Sequence, residues 1–157
     1  MKNIIFLSFV LFRGVLLKDT LVNDTLDFIN PTGTYILKGE VKNSTIIGHY
    51  GEIRVSLLDS STIALCFYVN KGYPGYESGS FVDTLHYEEN RAIYHPAADS
   101  SCVIYFAFNV RSVAISKALT DPHSGCGFYP GVVVPAVFDK TSSEIPVIQD
   151  LSLHGSF

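Results

Sequence analysis

Cysteine, histidine and carboxylate are the side chains that could carry chemistry in this chain, and their spacing limits what that chemistry is. Three cysteines, Cys66, Cys102 and Cys126, permit one internal disulfide and leave one thiol over. No pair of them has the C-x-x-C spacing of a zinc site. Cys66 lies inside the apolar run TIALCFYV, where a free thiol behaves as a small hydrophobe. Cys102 opens the run CVIYFAF and Cys126 sits in the glycine-flanked stretch HSGCGF. A bridge between two element edges leaves strand interiors undistorted, so Cys102 and Cys126 are the expected pair, and that bond requires an oxidising compartment.

Five histidines are scattered along the chain, and no two show the i, i+4 spacing of a helical metal site. The best metal set is Asp83, His86, Glu88 and His95. On a strand, positions 86 and 88 share a face while Asp83 points the other way, so only part of the set can converge, and neither a metal nor another cofactor is expected. Glu77 and Asp83 are the nearest approach to an acid and base for glycoside hydrolysis, which needs two carboxyls about 5–10 Å apart across a cleft. Exposed loop carboxylates are common, no G-x-S-x-G elbow is present, and a hydrolase ranks behind a role without catalysis.

Recognition is better supported. The stretch KGYPGYESGSF, residues 71–81, holds three aromatic rings, three glycines and one carboxylate. Tyrosine, glycine and serine on loops are a recognition composition: rings supply contact area at low entropy cost and small residues let the backbone adapt. Tyr73, Tyr76, Glu77, Ser78, Phe81 and Asp83 are the candidate partner-binding residues. Between Lys71 and Arg91 the acids Glu77, Asp83, Glu88 and Glu89 outnumber the bases, which favours encounter with a basic partner. The competing reading folds these rings back as a lid over a barrel end. A second long loop, residues 120–131, carries Gly125 and Gly127 beside Cys126; they suit turns next to a disulfide better than a phosphate cradle, since no helix start follows.

The elements that must hold these loops are strands. With 157 residues the chain is the size of one domain; 47% hydrophobic and 17% charged residues exclude a disordered chain. Many Tyr, Phe, Val, Ile and Thr residues lean towards β-structure. A net charge of −4 with no basic stripe argues against nucleic-acid binding. GEIRVSLL alternates Ile53, Val55 and Leu57 with Glu52, Arg54 and Ser56, a strand with one wet face. TIALCFYV is apolar on both faces, so both must be covered or the strand must close a barrel. Pro135 within GVVVPAVFDK points to an edge or a bulge in the last strand. About eight short strands with turn signals between them predict an all-β fold, a small antiparallel β-barrel with two long loops, 71–83 and 120–131. The organisation expected is a signal-like N-terminal segment and leader over 1–30, the barrel over 31–141 and a tail over 142–157. Lys2 followed by the apolar run Ile4–Phe12 has the form of an export signal, without an Ala-x-Ala-like cleavage step, and is about half the roughly 20 residues of a membrane span.

The order of short motifs, GTY (33–35), HYGEIRV (49–55), SGSFVDTLHYEENRAIY (78–94), SCVIYFAF (101–108), GCGF and V-x-x-x-F-x-K (Val134 to Lys140), is similar to that of small bacterial exported β-barrel proteins described as lysozyme-inhibitor-like. It covers about two thirds of the chain. GCGFYPG departs from the C-G-F-G form of the last loop, and no lipobox cysteine follows the signal-like run. The resemblance implies a periplasmic or extracellular protein without catalysis, whose loops 71–83 and 120–131 reach the cleft of a basic lysozyme-type glycosidase. The alternative from another class is a lipocalin-like carrier of a small apolar ligand.

Overall fold

A computed structural model describes residues 27–154. The signal-like run lies outside the described residues. Ten strands follow one another: β1 Gly33–Leu37, β2 Glu40–Lys42, β3 Thr45–Ile47, β4 Tyr50–Asp59, β5 Thr62–Asn70, β6 Ser78–Glu88, β7 Arg91–Tyr94, β8 Cys102–Phe108, β9 Ser112–Leu119 and β10 Ala136–Ser142. Eight of them close an antiparallel barrel in the order β1-β10-β9-β8-β7-β6-β5-β4, and β2 with β3 forms a separate hairpin. The fold is therefore the all-β barrel that the strand spacing predicts. Among the described residues no helix is long and apolar enough to cross a membrane.

Period-two alternation builds the core. Along β8, Cys102, Ile104, Phe106 and Phe108 are buried while Val103, Tyr105 and Ala107 face outwards. An eight-stranded barrel is just wide enough for side chains to fill it. Here Phe67 meets Phe81, Phe106 and Phe138 across the interior, with ring centroids 5.3, 6.1 and 6.2 Å apart. β6 and β7 share only two paired positions, against nine between β5 and β6, although all four residues of β7 pair with β8, so β6 and β7 part beyond Ala92. Past that junction the rings of Phe81 and Tyr94, one from each strand, stack at 3.7 Å.

The doubly apolar β5 is covered on both sides. Ile63, Leu65, Phe67 and Val69 point into the barrel, and outside it Cys66 and Tyr68 lie under Ile148 and Leu151 of the chain after β10. This tail ends in a short 3-10 turn, Leu151–His154. The same covering corrects the wet face expected for β4. Glu52 is buried, forms an ion pair with Arg54, and Arg54 Nη1 donates to the carbonyl of Val147 in the tail. A charge taken out of water needs such a partner, which this residue has. Pro135 is also displaced from its expected place: β10 begins one residue after it, and the irregular pairing lies at the other end of the strand, opposite Thr34 and Tyr35.

Candidate functional site

Antiparallel closure sorts the connections by end. At one end the strands are joined by tight turns, among them Glu89 and Asn90, both at positive φ, between β6 and β7. That end is sealed by the segment before β1: the Tyr87 hydroxyl donates to the Ile29 carbonyl at 2.7 Å, the Tyr35 hydroxyl to the Pro31 carbonyl at 2.7 Å, and Phe28 sits edge-on against Tyr87. The other end collects the β2–β3 hairpin and the loops 71–77, 95–101 and 120–135. Every long connection is therefore on one side of the molecule.

The loops at that end are tied to one another. Buried Asn70, the last residue of β5, organises the first: its Oδ1 accepts the Gly72 N–H at 2.7 Å and its Nδ2 donates to the Tyr76 carbonyl at 2.8 Å. Gly72 stands at φ +71°, and a Cβ there would strike the Gly48 and Ile46 carbonyl oxygens at 2.5 and 2.8 Å, so only glycine fits beside the hairpin. The Tyr73 N–H donates to the Ile46 carbonyl and the Tyr76 N–H to the Gly72 carbonyl. Tyr76 itself sits at φ 56°, a backbone state that a bulky residue holds only where its surroundings dictate it. Lys71 Nζ lies 3.3 Å from Glu77 Oε2 and donates to the Pro130 carbonyl at 3.4 Å, which joins the first loop to the last. The Lys71 ammonium and the Glu77 N–H together lower the Glu77 pKa, the backbone contribution being the larger. His49 Nε2 makes a 2.7 Å hydrogen bond with the Gly131 carbonyl.

The last loop is anchored from below. Cys102 and Cys126 form a disulfide, as expected, and Cys66 is the free thiol. Asp99 accepts hydrogen bonds from Ser101 Oγ and Ser124 Oγ, each at 2.6 Å, and these hydroxyls hold its pKa down at about 2. Val132 and Val133 are buried and close this end from within, while Phe128 lies over Gly79, where a Cβ would come within 2.6 Å of its ring.

Three aromatic rings are among the side chains left outside. Tyr73 is 59% exposed, Tyr76 44% and Tyr129 67%, and the first two rings meet edge-on at 6.4 Å. The candidate residues thus divide. Tyr73, Tyr76 and Glu77 belong to the loop, which spans only 71–77; Ser78, Phe81 and Asp83 lie on β6. Phe81 is corrected from loop surface to barrel core, where it is 9% exposed, because β6 alternation turns it inwards. Asp83 is exposed part-way along β6 and accepts the Thr84 N–H at 2.7 Å. The acidic run is dispersed as well: Glu88 and Glu89 stand at the sealed end, about 30 Å from Ser78 along the strand. Glu77 and Asp83 are set on separate elements, and among the described residues no group of three or more histidines, cysteines or carboxylates could hold a metal.

Tyr129 was not singled out by sequence reasoning, although a signal for it exists. Tyr-Pro-Gly occurs at 73–75 and again at 129–131, once in each long loop. Asn70 gave no signal, since an asparagine ending a strand is ordinary.

Protein-family models, curated proteins and solved structures were all compared with this chain, and none matches.

Proposed function

We propose that the protein is an exported binding domain without catalytic activity, which presents the tyrosine-rich end of its barrel to another macromolecule. One observation carries this reading: Tyr73, Tyr76 and Tyr129 stay exposed on two loops that are hydrogen-bonded to each other and braced by a disulfide. Pre-ordered rings are what an interface anchor needs, because the entropy of fixing them is spent on folding and not on binding. Export is supported by the disulfide. The phenylalanines that meet in the barrel interior favour this reading over a carrier, which would need that space for its ligand.

Its most specific form is an inhibitor of a lysozyme-type glycosidase, drawn from the strand-motif resemblance. The test is cell-wall lysis by several lysozymes with and without the purified protein. Slowed lysis that the triple variant Y73A/Y76A/Y129A no longer produces is the expected result; each anchor tyrosine should weaken inhibition by about 30-fold. Undiminished lysis at micromolar excess overturns the inhibitor, and full inhibition by the triple variant overturns the site.

A further inference from the structure

Outside the barrel, beside the tyrosine-rich end, a second surface has its own character. The β2–β3 hairpin leans over the ends of β1 and β4 and leaves a groove of about 250 Å³ lined by Ile36, Leu37, Val41, Ile46, Tyr50 and Lys38. Its walls are apolar apart from the Tyr50 hydroxyl and one charged residue, Lys38. Among the described residues no carboxylate pairs with Lys38, whereas the neighbouring Lys42 is paired with Glu40 at 3.0 Å and Lys71 with Glu77. Val41 is 70% exposed on the hairpin whose Ile46 carbonyl accepts the Tyr73 N–H of the first loop. A contiguous apolar hollow with a single unpaired cation at its rim has the chemistry of a site for a small amphiphile with an anionic head.

From this we propose that the groove binds a single-chain amphiphile with a carboxylate head, its alkyl chain lying along Ile36, Val41 and Ile46 and its head facing Lys38. The occupant is fixed by charge complementarity: Lys38 favours an anion and disfavours a cationic or neutral head of the same chain length. The site does not depend on the tyrosine surface and would survive the loss of that reading.

Decanoate, decanol and decyltrimethylammonium, each below its micellar concentration, should be titrated into the purified protein while amide NMR shifts are followed. Saturable shifts confined to the amides of residues 36–41, 46 and 50–51, with decanoate binding at least about 10-fold more tightly than the other two, are expected. K38E should remove that preference while leaving decanol unchanged, and V41W, at an exposed position, should fill the groove and abolish all shifts. Equal affinity of K38E and the parent for decanoate overturns the assignment of the head group. Shifts spread over the tyrosine loops or the core residues, or none that saturate, overturn the site.

Discussion

The two ends of this barrel solve the same problem by different means. Both must keep water out of the apolar barrel interior. The sealed end uses the chain before β1 and two buried phenols, Tyr35 and Tyr87, whose hydroxyls donate to that segment. The loop end uses Val132 and Val133, held down by the Cys102–Cys126 bridge, and leaves the polar and aromatic parts of its loops outside. A plug made of main chain and buried rings leaves only separate apolar side chains outside, Phe28, Leu58 and Val110, with no braced loop to carry them. A plug made of a braced loop keeps its outer surface for contact. The contrast teaches that the exposed tyrosines are a by-product of neither packing nor closure, since closure there is accomplished by other residues.

The largest way to break the contrast is to cut the brace. Replacing Cys102 and Cys126 together by serine should lower stability by about 3 kcal/mol in denaturant unfolding, with amide exchange rising first around residues 95–101 and 120–135. Equal acceleration at both ends would contradict the division. Next comes Asn70→Ala, which removes the two hydrogen bonds from the Asn70 amide to the first loop and should cost about 2 kcal/mol, with Tyr73 and Tyr76 losing their fixed edge-on geometry in NMR contacts. Tyr87→Phe acts on the other end: it orphans the Ile29 carbonyl and should cost about 1 kcal/mol, with faster exchange near residues 29–32 and 87–92 only.

The ends should also differ in pH response. Burial pushes the Tyr87 pKa up from 10.0 to about 12, and burial raises Tyr35 further. A folded state that holds its proton more tightly than the unfolded chain is fully stabilised below pH 10 and loses that stabilisation as pH climbs from 10 to 12. The sealed end should therefore loosen in alkali, and Y87F should blunt the effect. Asp99 is depressed from 3.8 to about 2, so its contribution is complete above pH 3.8 and disappears as pH falls towards 2. The smallest effect expected is thus local: faster exchange at Ser101 and Ser124 in that acid window, removed in Asp99→Ala.

Much of the fold was legible because alternation is a local property. The pattern of CVIYFAF turns Ile104 and Phe106 inwards whatever lies across from them, and the glycine-flanked Cys126 marks a bridgeable loop. What sequence could not reveal was covering by distant chain. Glu52 and Arg54 alternate as a solvated face should, and only the tail from Val147 onwards makes that face interior. Phe81 failed for a different reason: the chain reads as loop up to residue 83, while β6 starts at Ser78, and once the strand is set its alternation buries that ring. Tyr73 and Tyr76 followed from composition, but which end of the barrel they share with Tyr129 follows from strand parity, which requires the strand count to be known.

The tail that crosses β5 gives the molecule an internal clock. Cys66 is the chain's free thiol, and burial under Ile148 and Leu151 pushes its pKa up. A thiol reagent reaches it only in the moments when the tail has lifted from the barrel wall. The labelling rate of one sulfur therefore reports the frequency of that detachment in native buffer, separately from any event at either end.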